Sequence, residues 1–268
     1  MRGHFRLARR TLSESLERGA DGSSPAIVAN ALVRAASFAL FQGDHEAARP
    51  LLERSLEFSR RAGDERGVAR ALSGIAVSAL FARDYEAGRA RAEEALAIYR
   101  ARGDRHASAL ALEGTGDERH LALTRGSLGL ACVRLGDTAA ARRSLASALA
   151  LASGLAAERE AAYALEAAAE LAAASGEPER AVRWMGCADA VRERIGSPRS
   201  PVEREEQEAL MSRLRAALGM DRARALGGEG AAAGLDATVG EALAWLEKEG
   251  RGSWVASAAS NPVGDTSA

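Results

Sequence analysis

At 268 residues, with 47% apolar and 27% charged side chains, the chain lies in the globular range and can hold one or two domains or one extended array. Its 36 basic and 37 acidic side chains nearly cancel, which speaks against the one-sided basic excess of a nucleic-acid surface. Two cysteines, Cys132 and Cys187, are too few for a disulfide framework, no basic-then-apolar leader opens the chain and no apolar run reaches a membrane span, so a reducing cytoplasm is the expected compartment.

Taken in chain order, the first predicted element is an amphipathic helix at 3–19, beginning GHFRLARRTLSESL (3–16), with no partner helix before it. A second predicted helix, ANALVRAASFALF (29–41), is apolar at i, i+3, i+4 and i+7 and so has one buried face. GDHEAARPLLERSL, from Gly43, repeats the design of the opening stretch. The pair then recurs as ARALSGIAVSALF (69–81) with RDYEAGRARAEEAL from Arg83, LTRGSLGLACVRL (123–135) with GDTAAARRSLASAL from Gly136, and AYALEAAAELAAA (162–174) with a weaker GEPERAVRWMGCAD from Gly176. The second-helix starts at 3, 43, 83, 136 and 176 are spaced 40, 40, 53 and 40. Gly-Asp at 43–44 and at 136–137 ends one helix and caps the next, since glycine tolerates a left-handed residue and aspartate accepts from free helix N–H groups. Pro50, inside its helix, lacks one backbone donor and predicts a local kink. The 53-residue step hides extra residues within 103–120 and predicts a break in the array there. No alternating β-branched pattern or hairpin signal occurs.

Small residues recur at three places in each pair. One is in the first helix: Ala36, Ala76, Gly129 and Ala169. Two are in the second: Ala48, Gly88, Ala141 and Ala181, then Ser55, Ala95, Ala148 and Ala188. A bulky side chain there would push neighbouring helices apart. This pattern resembles the tetratricopeptide repeat (TPR), although 40 residues exceeds its usual period of about 34 and Arg125 stands where an apolar residue is expected. HEAT repeats share the longer period, but the small-residue triplet and the Gly-Asp turn favour the TPR. The resemblance implies an all-α, right-handed superhelix of antiparallel helix pairs. It also implies that residues 3–19 are the second helix of an incomplete first repeat, as expected if the chain is the distal piece of a longer array.

The run from 177 to 247 resembles the distal end of bacterial signal-transducing ATPases with numerous domains (STAND ATPases), many of them LuxR-type or winged-helix transcription regulators. By that resemblance the array covers 1–196 and is followed by a helical cap over 197–249, built from a Pro-containing turn at 197–201, a helix at 202–218 and a short helix at 235–249. The polar tail 250–268 is expected to be disordered. GGEGAAAG (227–234) reads as a flexible interhelical loop rather than a phosphate cradle.

Chemistry-bearing constellations are absent from the sequence. No Gly-x-x-x-x-Gly-Lys-[Ser/Thr] occurs, so nucleotide hydrolysis is not expected of the chain itself. His4, His45, His106 and His120 are too scattered for a metal site, and no nucleophile–base pair suggests an enzyme. No cofactor is expected. The TPR resemblance instead implies a concave groove lined by the first helices, with Asn30, Ser37, Phe41, Arg70, Ser73, Val77, Phe81, Arg134, Tyr163, Glu166 and Glu170 as the partner-binding residues. Phe41 and Phe81, 40 residues apart, either present aromatic anchors to a partner or pack between helices. The implied function is protein recognition, as the sensor or relay segment of a regulator whose ATPase domain lies upstream or on another chain, or as a free-standing adaptor. The partner is a protein or peptide, not nucleic acid or membrane.

Overall fold

The computed structural model describes residues 24–41, 44–106 and 114–258. Among them are eleven α-helices and no strand. They are α1 (Pro25–Phe41), α2 (His45–Arg61), α3 (Glu65–Phe81), α4 (Tyr85–His106), α5 (Gly114–Arg134), α6 (Thr138–Gly154), α7 (Glu158–Ala174), α8 (Pro178–Arg194), α9 (Pro201–Leu218), α10 (Met220–Ala233) and α11 (Leu235–Ala258). The expected lone helix at 3–19 lies outside the described residues.

A single turn design sets the spacing. Helices α1, α2, α3, α6, α7 and α8 are each 17 residues long and are separated within their runs by three residues, so each half-repeat measures 20. In the turn before α3, the Asp64 backbone N–H donates to the Ser59 carbonyl (2.9 Å), while its carboxylate accepts from the Gly67 N–H (3.0 Å). Asp137 does the same between Cys132 (2.9 Å) and Ala140 (3.0 Å). One aspartate thus ties off the outgoing helix and caps the incoming one. The residue before it sits in the left-handed region, at φ 64° for Gly63 and 76° for Gly136, where glycine meets no Cβ penalty. Arg83 (φ 61°) and Ala156 (φ 48°) adopt that conformation without being glycine.

Helices α1/α2, α3/α4, α5/α6 and α7/α8 pack as antiparallel pairs, and the first helices also touch in series, α1 to α3 to α5 to α7. Stacked hairpins of this kind form a TPR-like α-solenoid. The small-residue triplets explain how they stack. Ten of the twelve, including Ala36, Ala76, Ala141 and Ala188, are fully buried, and Gly88 and Gly129 are buried as well. A Cβ on Gly129 would come within 2.5 Å of the buried Leu145 side chain. Ser55 keeps its place by donating to the Ala29 carbonyl across the pair (2.8 Å).

The irregular step is absorbed in three places. Helices α4 and α5 grow to 22 and 21 residues, and the connection between them lengthens. Helix α5 still packs on both α4 and α3. Residues 107–113, the middle of that step, lie outside the described residues.

Two features of the cap differ from the sequence reading. The stretch at 227–234 is not a loop; most of it belongs to helix α10. Gly227 and Gly230 face α8, where a Cβ on Gly186 would fall 2.8 Å from Gly227 Cα and one on Gly230 would fall 2.9 Å from Arg183 Cα. Glycine here permits backbone-to-backbone approach of two helices, a tertiary gain that outweighs its poor helix propensity. The last helix also continues past 249 to Ala258. Residues 259–268, the rest of the expected tail, lie outside the described residues. Helix α11 lies across α6, α7 and α8. Trp245 meets Trp184 edge-on (centroids 5.5 Å apart), donates from Nε1 to Glu177 (2.6 Å), and lies under the Arg142 guanidinium at 3.9 Å. One hydrophobic cluster consequently runs from Cys132 to Leu246, whereas the amino-terminal pairs hold separate, smaller clusters.

Candidate functional site

The serial contact of α1, α3, α5 and α7 makes one surface from four first helices. After α8 the chain crosses back over that surface. Residues 196–200 form a strap and α9 follows, so that part of the surface becomes the wall of a cavity of about 730 Å³. Of the expected groove residues, Ser37, Arg70, Ser73, Val77, Phe81 and Tyr163 line this cavity. Asn30 is exposed and lies outside its lining. The side chain of Phe41 lies outside the described residues.

The walls are mostly apolar where α1 and α3 contribute them. Phe81 stacks on His45 with centroids 3.7 Å apart and planes 16° from parallel. Burial holds His45 down to about 4, against a smaller opposing pull from Asp44, so the ring is neutral near pH 7. Phe81 packs on His45 within the solenoid and also lines the cavity. Deeper in the wall, Ser73 Oγ and Thr124 Oγ1 are hydrogen-bonded at 2.7 Å, joining α3 to α5.

Sequence comparison bears on this surface directly. Residues 27–101 match the tetratricopeptide repeat. The match covers the first two helix pairs almost entirely, the part that supplies the apolar wall. No curated protein matches the chain.

The remaining groove residues, Arg134, Glu166 and Glu170, are bound to other parts of the same chain. Arg134 donates to both carboxylate oxygens of Glu170 (2.7 and 2.8 Å), to Glu206 of α9 (3.2 and 3.4 Å) and to the Tyr85 hydroxyl (3.2 Å). Arg192 holds Glu166 in the same two-pronged way (2.6 and 2.8 Å). Arg199, in the strap, also bonds Glu166 and reaches Asp189 at 2.6 Å. A capping box starts α9: the Ser200 N–H donates to Glu203 (2.6 Å) and the Glu203 N–H donates to Ser200 Oγ (3.2 Å). Glu203 lies 3.6 Å from Arg192, and Arg83, at the tip of the α3–α4 turn, lies 3.6 Å from Glu206.

Burial pushes the Glu170 carboxyl above the usual carboxylate range, with Arg134 pulling it back. Glu166 and Glu170, expected as groove residues, are each held by arginines: Glu166 by Arg192 and Arg199, Glu170 by Arg134. Burial likewise raises the Tyr163 phenol and both cysteine thiols, so neither cysteine is poised as a thiolate. The residues missed in the sequence are Arg192, Arg199, Glu203 and Glu206. Their signal was the acidic EREE run at 203–206, complementary to Arg134 and Arg192, but no local pattern said that α9 would turn back over them.

Proposed function

We propose that the chain is a protein-recognition module acting as the sensor or relay segment of a bacterial signal-transducing ATPase or transcription regulator, within the cytoplasm. The recognition part is supported by one observation: TPR-type first helices aligned in series give Ser37, Arg70, Ser73, Val77 and Phe81 a common surface. An all-helical repeat array of this kind is typically a scaffold rather than an enzyme. The regulatory context is supported by the likeness of 177–247 to the distal end of such regulators. On this reading the ATPase domain is supplied upstream or by another chain, and the array is the part that reads the signal. A free-standing adaptor is the second reading, since the same repeats serve either context.

The experiment places a photo-crosslinking residue at Ser37 or Val77 in the full chain and identifies what is captured in the native host. A regulator polypeptide carrying a nucleotide-binding domain is the expected product, and the Phe41→Ala/Phe81→Ala double variant should bind it about tenfold more weakly. Capture of proteins without such a domain favours the adaptor. Unchanged affinity in a folded double variant removes the groove from the account.

A further inference from the structure

We infer that the cavity closed by the strap is a binding site for a small organic acid with an apolar body, such as a carboxylate carried on a hydrocarbon or aromatic frame. The volume, about 730 Å³, is that of a small-molecule pocket. Its wall supplies the apolar component through Val33, Leu40, Leu52, Val77 and Phe81.

The charge balance supplies the other component. Among the described residues five arginines reach the lining: Arg70, Arg159, Arg192, Arg199 and Arg204. Three are neutralised within the chain, Arg159 by Glu160, Arg192 by Glu166 and Glu203, and Arg199 by Glu166 and Asp189. Arg70 and Arg204 have no ion pair among the described residues. The Arg70 Nε is buried and has no hydrogen-bond acceptor among the described residues. A buried guanidinium nitrogen without an acceptor is costly, and an entering anion would supply the missing acceptor. Arg70 comes from α3 and Arg204 from the first turn of α9, so the cavity carries excess positive charge on both the array and the segment that closes it. An acid bound between them would tie α9 to the solenoid and so couple occupancy to the position of that helix. This site goes beyond protein recognition and does not depend on it.

The test uses the intact chain with anilinonaphthalene sulfonate as a fluorescent anionic probe, decanoate as a competitor and decanol as its neutral counterpart. Saturable binding of the probe is expected, with decanoate displacing it at least about tenfold better than decanol. Arg70→Gln should remove that preference for the acid while leaving decanol unchanged, and Arg49→Gln, on the exposed face of α2, should alter neither. Hydrogen exchange should show α9 better protected with decanoate than with decanol. Should Arg70→Gln fail to fold by circular dichroism, Arg204→Gln, at an exposed position, decides in its place. No probe binding, equal displacement by decanoate and decanol, or a folded arginine variant that keeps the full preference overturns the inference; so does binding of acidic peptides with no binding of decanoate. These readouts involve no partner protein, so their failure leaves the crosslinking result standing, and the reverse holds too.

Discussion

Gly186→Ala is the sharpest test of how the carboxyl-terminal cap is joined to the array. On an exposed helix position this exchange stabilises by about 0.5–1 kcal/mol, because alanine gives up less backbone entropy. At Gly186 a Cβ would stand 2.8 Å from Gly227 Cα and 2.9 Å from its carbonyl carbon. Comfortable carbon contacts begin near 3.5 Å, so α8 and α10 would have to separate by roughly 1 Å along their crossing. The obstacle is backbone, which has no rotamer to change. Overpacking of this kind costs about 3 kcal/mol at the upper end of its range; after the propensity gain of about 1 kcal/mol, a net loss of about 2 kcal/mol remains. Gly228→Ala, in the same α10 helix with nothing within 4 Å of its Cβ, should instead stabilise by about 0.5–1 kcal/mol. Urea denaturation followed by tryptophan fluorescence reads both changes, since Trp184 and Trp245 lie in the core that these helices close. Two variants that shift the midpoint in the same direction by similar amounts would refute the close-approach explanation of the glycines.

Two further predictions concern the charged and titrating groups. Arg134→Ala leaves the Glu170 carboxylate partly buried without its bidentate partner and should destabilise by about 1–3 kcal/mol at pH 7, with Arg134→Lys intermediate. Glu170 is already raised by burial, so removing its arginine penalises the charged form further; the loss should be full above its folded pKa and should shrink as pH falls through it, which urea midpoints between pH 7 and 4 will show. His45 runs the other way: with a folded pKa of about 4 against about 6.5 unfolded, the unfolded chain takes up the proton first. Linkage alone would give a decline of about 2 kcal/mol as pH falls from 7 to 4.5, and solvent screening at this half-buried ring lowers the expected loss to about 1–2 kcal/mol; His45→Phe, which keeps the stack on Phe81, should flatten that part of the profile in a thermal-melt series.

The repeat architecture was legible in the sequence because its determinants are local or recur at fixed spacing. Asp64 and Asp137 cap helices within three residues of themselves, and Ala48, Ala95, Ala148 and their counterparts mark close approaches of helices within the repeats. Ser37, Arg70, Ser73, Val77 and Phe81 were named from the TPR resemblance rather than from the period itself, and in the structure they share one surface. The roof over that surface was not legible, because it depends on contacts between residues far apart in the chain. Arg134 meets Glu206, and Arg199 meets Glu166, only because α9 turns back after the array ends, and nothing within a helical period encodes that direction. The glycines of α10 show the same limit: judged by propensity alone they break a helix, and only the presence of α8 against them turns the missing side chains into a packing surface.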